Sequence, residues 1–156
     1  GQYFNEPQEL LSQSTRVPGT DGRKMSKSYG NAIYLTDDHE TITKKVKMMI
    51  TDPQRIKLKD PGHPEVCNVF TFYNIYKKQD IKNIEHRCRN ADIGCTACKS
   101  ELADIIYESL KDFQGRRQEL EKDPQSIYKI LEEGKNQVRK ISKLTIKQVR
   151  EKIGID

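Results

Sequence analysis

The sequence predicts an all-α fold, a helical bundle that follows a loop-rich first segment. Apolar residues recur at three- and four-residue spacing through most of the chain after Thr36, which is the period of one helix face. There is no Gly-x-Gly-x-x-Gly sequence and no alternation of strand and helix patterns, which disfavours a dinucleotide-binding sheet. With 34% hydrophobic and 33% charged residues, the composition fits a well-solvated helical body better than a thick globule.

The first segment and the first helix can be placed from turn and capping residues. Residues 1–31 are rich in Gly, Pro, Gln, Ser and Thr and are predicted to be loops, with a short extended stretch at residues 33–35. The first helix is predicted to begin at Asp37, because Glu40 three residues later completes a capping-box pattern. Asp52-Pro53 ends this helix. Its apolar stripe is Ile42, Val46, Met49 and Ile50.

Four further helices are predicted from the same periodicity. The second follows Pro64 and the third begins at Asp80. The fourth runs from about Thr96 to Leu120. The fifth begins at Asp123-Pro124, a cap followed by proline at the first helical position, and is interrupted only by Gly134. The apolar positions of the second helix are Val66, Val69, Phe70, Tyr73 and Tyr76, and those of the third are Ile81, Ile84 and Cys88. Those of the fourth helix are Leu102, Ile105, Ile106, Leu110, Phe113 and Leu120. Those of the fifth are Ile127, Ile130, Leu131, Val138, Ile141, Leu144 and Val149.

Length and charge limit the classes of protein to consider. The 156 residues suffice for one domain with a hydrophobic core. The formal net charge of +5 favours polyanionic partners only weakly, because such a surplus is common on lysine-rich domains. No apolar run is long enough to cross a bilayer and no signal-peptide pattern is present, so we expect no membrane association.

The most informative stretch is Arg23-Lys24-Met25-Ser26-Lys27-Ser28, which places two lysines and two hydroxyls in a glycine-flanked loop. Lysine is a flexible point charge with three donors, and serine hydroxyls and loop N–H groups add neutral donors to phosphate oxygens. The preceding Pro18-Gly19-Thr20-Asp21-Gly22 supplies turn residues. The stretch therefore predicts a mobile cationic loop that closes on the phosphates of a nucleotide.

Lys24 to Ser28 reads KMSKS and resembles the second signature of class I aminoacyl-tRNA synthetases. Gly19-Thr20-Asp21-Gly22-Arg23 ahead of it is similar to the version in bacterial tryptophanyl-tRNA synthetases. The likeness extends from about Pro7 to the C-terminus. It continues through Tyr29-Gly30-Asn31-Ala32-Ile33-Tyr34-Leu35, Thr51-Asp52-Pro53, Pro64-Glu65-Val66-Cys67-Asn68-Val69-Phe70, Ile93-Gly94-Cys95 and Cys98-Lys99.

The resemblance implies an ATP-dependent enzyme, a tryptophan–tRNA ligase, that activates tryptophan with ATP and Mg²⁺ and transfers it to the tRNA for tryptophan. Lys27 is then the principal phosphate contact and Lys24 assists it, so these two lysines are the expected catalytic residues. Ser26 and Ser28 are loop donors in the ATP site, and Met25 seats the loop by packing. The resemblance also implies a homodimer in the cytoplasm.

The first signature of the class, of the His-x-Gly-His type, is missing, because the three histidines do not form one. The chain is therefore expected to be a C-terminal portion, inactive alone, that lacks the Rossmann catalytic domain. Residues 1–35 would be the edge of that domain with the KMSKS loop, and residues 36–156 the α-helical anticodon-binding domain. Two alternatives stay open: a tyrosyl-tRNA synthetase fragment, or a metal-stabilised, non-catalytic RNA-binding module.

The four cysteines, Cys67, Cys88, Cys95 and Cys98, have the spacing C-x20-C-x6-C-x2-C. The last pair lies at the predicted N-terminus of the fourth helix, where unpaired N–H groups stabilise thiolates. Four thiolates suit either structural Zn²⁺ or a [4Fe–4S] cluster, and the spacing does not discriminate. Resemblance to tryptophanyl-tRNA synthetases that carry an iron–sulfur cluster favours iron, with zinc as the alternative.

Recognition of the anticodon is expected on the helical domain. Single-stranded RNA loops are read by stacking on aromatic or arginine side chains and by hydrogen bonds to base edges. Arg87, Arg89 and Lys99 lie beside the cysteines in the sequence and are the candidate tRNA contacts. A solvated helix surface is an equally good explanation for each of them.

Overall fold

The computed structural model describes residues 3–12 and 14–155. Five helices follow one another: α1 (His39–Lys47), α2 (Asn68–Tyr76), α3 (Ile81–Arg89), α4 (Cys95–Lys122) and α5 (Pro124–Ile153). Short 3₁₀ turns occur at Lys27–Tyr29, Pro64–Val66 and Lys78–Asp80. Across the described residues there is no β-strand, only an isolated antiparallel bridge between Pro18 and Lys24. The all-α prediction is confirmed.

The chain divides into two compact units, each described by itself. One is Leu11–Gln114, which holds the KMSKS loop, α1 to α3 and the first part of α4. The other combines Gly1–Leu10 with Gly115–Asp156, and so holds the end of α4 and all of α5. The KMSKS loop thus belongs to the same structural unit as the helices that follow it, and the boundary at residue 35 between catalytic and anticodon-binding parts stays a prediction.

The core of the Leu11–Gln114 unit is built from one face each of α1, α2 and α4, with Ile84 of α3 packed against them. Burying a side chain of this size contributes about 1.5–3 kcal/mol relative to leaving it in water. The hydroxyl of the buried Tyr73 has a hydrogen-bond partner, because it donates to the carbonyl of Cys98 at 2.9 Å. The fully buried large side chains are Tyr73, Phe72, Ile42, Leu102, Ile106, Val46 and Val69.

Two predicted helix caps differ from the structure. The N-cap of α1 is Asp38, whose carboxylate accepts from the amide of Thr41 at 2.8 Å. Asp37 instead accepts from the amide of Tyr34 and from Lys45 Nζ, so the lysine holds it away from the helix end. Asp80 does precede α3, but its side chain makes no capping hydrogen bond. Sequence spacing alone does not show which of two adjacent aspartates faces the free amides.

Several predicted core positions are solvent-exposed, two of them because the apolar periodicity extends beyond the ends of the helix. Ile50 lies after the end of α1 and is exposed, and Val66 lies in a 3₁₀ turn ahead of α2 and is exposed. Phe72, which the periodicity did not select, is completely buried. Phe113 and Leu120 on α4 are also exposed.

In the Gly1–Leu10 and Gly115–Asp156 unit, α5 is continuous through Gly134 and does not break there. Asp123 caps its start by accepting from the amide of Ser126, and Gly154, with φ of 72°, ends it. None of its described residues is buried. Tyr3 donates from its hydroxyl to Gln148 on this helix. Within the described residues, no helix combines the length and apolarity needed to span a bilayer.

Candidate nucleotide loop and cysteine site

The KMSKS loop rests on a tight turn. The amide of Gly19 donates to the carbonyl of Arg23 at 2.6 Å, and the bridge between Pro18 and Lys24 closes the turn. Gly22 has φ of 78°, a conformation that side-chain-bearing residues rarely adopt, which explains glycine there. The turn fixes the start of the lysine-bearing segment.

Asn31 holds the other side of the loop. Its Oδ1 accepts from the amide of Ser26 at 2.8 Å, and its Nδ2 donates to Asp21 Oδ1 at 2.8 Å and to the carbonyl of Lys24 at 3.2 Å. The residue is only 2% exposed, so these bonds form in a nearly dry environment. One buried amide therefore connects the turn before the loop to the lysine segment itself.

A close contact with Gly19 makes this position of Asn31 possible. A Cβ placed on Gly19 would lie 2.2 Å from Asn31 Nδ2, so any larger residue would displace the amide. The carbonyl of Gly19 accepts from Asn68 Nδ2 at 2.8 Å, which fastens the turn to the first residue of α2. This hydrogen bond attaches the loop to the start of α2.

Asp21 has a structural role next to Asn31. The hydrogen bond from Asn31 lowers the pKa of Asp21 below its ordinary value, and further bonds and the charge of Arg23 act in the same direction, although burial opposes them. Arg23 forms an ion pair with Asp21 at 2.7 Å and stacks over the ring of Tyr29 at 4.8 Å. Arg23 is thus engaged within the loop.

The lysines of the motif remain available. Lys24 and Lys27 are exposed, and within the described residues neither forms an ion pair. The hydroxyls of Ser26 and Ser28 lie 2.9 Å apart, close enough to act on one ligand oxygen. Met25 packs against the hydrophobic core. The arrangement places two exposed cations and two hydroxyls next to the turn that Asn31 fixes.

Sequence reasoning did not select the residues that build this base. Asn31, Asp21 and Asn68 each lie in a segment that resembles the synthetases, but no spacing rule assigns them a contact. The available signal was chemical: an asparagine directly after a glycine, with φ of 65° at Gly30, commonly marks a turn whose side chain bonds to nearby backbone.

Three of the four cysteines lie on α3 and α4, and the fourth lies just before α2. Cys67 immediately precedes α2, Cys88 lies in the last turn of α3, and Cys95 and Cys98 lie in the first turn of α4. All four are free thiols and half-buried. Cys88 is close to a glycine, because a Cβ on Gly62 would lie 2.4 Å from its Sγ. Cys88 thus lies next to the chain segment that precedes α2.

The thiols influence one another electrostatically. Burial raises the pKa of Cys88, and the neighbouring Cys67 and Cys95 raise it further. Burial raises the pKa of Cys98 to about 12, with Cys67 and Cys88 acting in the same direction. Over the described part of the chain, no group of three or more His, Cys, Asp or Glu side chains is arranged to hold a metal ion. Metal binding at the cysteines stays a prediction.

Four thiols are chemically suitable donors for a metal centre, but burial raises the pKa of Cys88 and Cys98 and so favours their protonated forms. A metal has to displace these protons, and this deprotonation lowers the net free energy of metal binding. Arg55 supplies a compensating positive charge, because its Nη1 donates to Cys95 Sγ at 3.9 Å. Near this site Asp52 accepts from the amide and from Nδ1 of His63, at 2.9 and 2.8 Å.

The three predicted tRNA contacts are engaged within the protein. Arg87 makes a bidentate ion pair with Glu101, with N–O distances of 2.9 and 2.8 Å. Arg89 pairs with Glu85 and Glu65, at 2.9 and 3.1 Å. Lys99 donates to the carbonyl of Lys47 at 2.9 Å. RNA binding through these side chains requires that internal bonds be exchanged.

Comparisons with known proteins agree with this geometry. The model of the family "tRNA synthetases class I (W and Y)" matches residues 1–111. A tryptophan–tRNA ligase of Aquifex aeolicus is 42% identical over 99% of this chain and 40% of its own length. One from Clostridium longisporum is 40% identical over 97% of this chain and 46% of its own length.

A solved structure shows the same relationship. The tryptophanyl-tRNA synthetase of Campylobacter jejuni, complexed with ADP and tryptophan, has a TM-score of 0.78 and 30% identity over 90% of this chain and 44% of that one. The chain thus spans less than half the length of these relatives. By the match to the family model, the buried frame of the KMSKS loop and the extent of these alignments, the chain belongs to the class I tRNA synthetases for tryptophan and tyrosine.

Proposed function

We propose that this chain is the C-terminal portion of a tryptophan–tRNA ligase and supplies the loop that engages the pyrophosphate of ATP. The observation that carries the proposal is a pair of exposed lysines, Lys24 and Lys27, on a base fixed by Asn31; neither lysine forms an ion pair in the described part of the chain. The relatives at 42% and 40% identity are named as tryptophan–tRNA ligases, which favours tryptophan over tyrosine.

The proposed mechanism follows from where charge develops. Attack of the tryptophan carboxylate on the α-phosphorus releases pyrophosphate, so negative charge grows on the β- and γ-phosphates. Lys27 contacts these oxygens and Lys24 assists, and the hydroxyls of Ser26 and Ser28 donate to them. Since the loop engages fully only as this charge forms, the interaction lowers the barrier more than it tightens ATP binding.

The same proposal names the partners of the whole enzyme. These are ATP with Mg²⁺, tryptophan and the tRNA for tryptophan, in a cytoplasmic homodimer. The adenine and tryptophan pockets would lie in the Rossmann domain, of which residues 1–35 form the edge, while residues 36–156 bind the anticodon. Light scattering that finds a monomeric whole enzyme would contradict the dimer.

A kinetic experiment tests the catalytic role. In the whole enzyme, Lys27→Ala should slow tryptophan-dependent ATP–pyrophosphate exchange by about a hundredfold to a thousandfold, the loss typical of one transition-state donor. The tryptophan affinity should change little. The control is Lys140→Ala, which removes an equally exposed lysine from α5. Exchange by Lys27→Ala at the control rate would refute the role of Lys27.

Two further outcomes separate the alternatives. Exchange that depends on tyrosine and not on tryptophan would make the chain part of a tyrosyl-tRNA synthetase. No exchange with either amino acid, together with RNA binding, would leave a metal-stabilised, non-catalytic RNA-binding module. The 156-residue chain alone should show no exchange, because it contains only one of the two signatures of the class.

We also propose that Cys67, Cys88, Cys95 and Cys98 hold a [4Fe–4S] cluster. Their mutual electrostatic influence supports a common site, and four cysteine thiolates are the ligand set of such a cluster. Protein purified without oxygen should be brown and contain about four irons per chain, and Cys95→Ser should abolish the colour. One zinc and no iron would indicate a tetrathiolate zinc site instead.

Anticodon recognition by Arg87, Arg89 and Lys99 is retained as part of the proposal. Because Arg87 and Arg89 are already ion-paired, each would have to exchange a carboxylate for a phosphate or a base edge. Arg87→Ala should weaken binding of an anticodon stem-loop more than Glu101→Gln does, because Glu101→Gln leaves the arginine free to bind. Equal binding by Arg87→Ala and the parent chain would remove Arg87 from the interface.

A further inference from the structure

An exposed loop between α1 and α2 alternates cationic and apolar side chains. This segment, the 55–59 loop, consists of Arg55, Ile56, Lys57, Leu58 and Lys59. Ile56 is 86% exposed and Leu58 is 72% exposed, although both are large aliphatic residues. Two exposed aliphatic side chains interleaved with lysines give the segment an apolar and a cationic surface side by side.

The 55–59 loop has a defined conformation. The carboxylate of Asp60 accepts from the amides of Ile56 and Lys57, at 3.2 and 2.7 Å, and the amide of Asp60 donates to the carbonyl of Lys57 at 3.1 Å. Arg55 Nη2 donates to the carbonyl of Leu58 at 3.0 Å, which closes the turn from the other side. Because the turn is held in place, a ligand loses less entropy on binding it.

Contacts connect the loop to the cysteine site. Arg55 uses its other terminal nitrogen, Nη1, to donate to Cys95 Sγ. On the opposite side, a Cβ at Gly94 would lie 2.8 Å from Leu58 Cδ1, so the loop packs directly against the residue that precedes α4. The loop is therefore a fixed part of the surface around the cysteines.

The two lysines of the loop differ in their pairing from the two arginines among the predicted tRNA contacts. In the part of the chain that the structure describes, Lys57 and Lys59 form no ion pair, whereas Arg87 and Arg89 are both paired with glutamates. The accessible cationic charge beside the cysteine site thus lies on the loop.

We propose that the 55–59 loop binds the single-stranded loop of the tRNA, an inference that rests on the proposed function. Lys57 and Lys59 contact phosphates, and Ile56 and Leu58 pack against unstacked bases. A single-stranded RNA presents both surfaces together, since its phosphates alternate with apolar base faces. An apolar protein partner would cover Ile56 and Leu58 but would leave two lysines facing it without compensation.

The first test uses charge. Binding of an anticodon stem-loop to the 156-residue chain is measured against salt concentration for the double variant Lys57→Ala with Lys59→Ala. Two lost phosphate contacts on a single strand should reduce the salt slope by about 1.4 and the affinity in 0.1 M salt by roughly 25-fold. The matched control is Lys140→Ala with Lys143→Ala, two exposed lysines of α5 with the same loss of charge.

The second test uses the apolar side chain. Ile56→Ser should weaken binding at least about fivefold while leaving the salt slope unchanged, because it removes contact with a base and not with a phosphate. The side chain of Ile56 is almost fully exposed, so the variant should keep the parent helical circular dichroism. A drop in the salt slope for Ile56→Ser would contradict its assignment to a base.

The outcomes are separable from those of the proposed function. Equal affinity and slope for the two double-lysine variants would overturn the inference and leave the loop to a protein partner. Loss of binding specific to Lys57 and Lys59 would support it even if the whole enzyme failed to exchange pyrophosphate with tryptophan. In that case the RNA-binding surface would stand and the ligase assignment would fall.

Discussion

Asn31→Ala is the sharpest test of how the KMSKS loop is held. The substitution deletes the three side-chain hydrogen bonds that connect Asn31 to Ser26, Asp21 and Lys24. It leaves the backbone bond from the amide of Thr20 to the carbonyl of Asn31, at 2.9 Å, in place. The variant therefore isolates the contribution of the amide side chain.

The expected magnitude follows from the three bonds. Each contributes about 0.5–1.5 kcal/mol net, so the sum is roughly 1.5–4.5 kcal/mol. The bond to Lys24 is long, and Asp21, whose side chain is 29% exposed, can turn to water. These two features place the loss in the lower part of the range, at about 1.5–3 kcal/mol.

Amide hydrogen exchange measures this loss where it occurs. The amide of Ser26 is protected by Asn31 Oδ1, so its protection factor in the 156-residue chain should fall roughly 10- to 100-fold. The amides of α2 should keep their protection, since the core does not depend on the loop. Asn83→Ala is the control, because that exposed side chain makes a single bond, to Asp80.

Unchanged exchange of Ser26 in Asn31→Ala would refute the reasoning. It would mean that the turn at Gly19 and Gly22 alone fixes the loop. Loss of protection throughout α2 would also refute it, since the loop would then be part of the cooperative core and not a separately stabilised element.

Gly134→Ala should stabilise α5 by up to about 1 kcal/mol, because Gly134 is helical with open space around it; an unchanged or lower thermal midpoint would contradict this. Gly62→Ala should destabilise by about 1–3 kcal/mol, since the new methyl group would lie 2.4 Å from Cys88 Sγ; denaturation at the parent midpoint would show that the site relaxes freely. The pKa of Asp21 is lowered in the folded chain, so its stabilising effect is complete at neutral pH and is lost as pH falls below about 3.8. The NMR shift of the Asn31 side-chain amide should therefore change only below that pH and stay constant in Asp21→Asn.

The sequence predicted more of the helices than of their ends. Three- and four-residue spacing placed α1 to α5 and most of the core, because a buried helix face needs apolar residues at that period. Caps were less predictable. Asp37 and Asp38 are adjacent and both suit a helix start, and only the position of Lys45 makes Asp37 unavailable for capping.

Local chemistry also determined the functional motif. Lys24, Lys27 and the two serines could be proposed as a phosphate-binding loop because they are contiguous in the chain. The cysteines were grouped by spacing alone, and the structure places Cys67 just before α2, Cys88 on α3, and Cys95 and Cys98 on α4, with Cys88 in electrostatic range of Cys67 and Cys95.

Tertiary structure alone decided which charged side chains have ion-pair partners and which do not. The charges of Arg87 and Arg89 are neutralised by glutamates 14 and 24 residues away in sequence, while Lys57 and Lys59 have no such partner among the described residues. Asn31 became the base of the KMSKS loop only because Gly19 leaves room for its amide. Spacing along a helix fixes which residues share a face, but pairing between distant segments depends on how those faces pack, and a single sequence carries no local pattern for that.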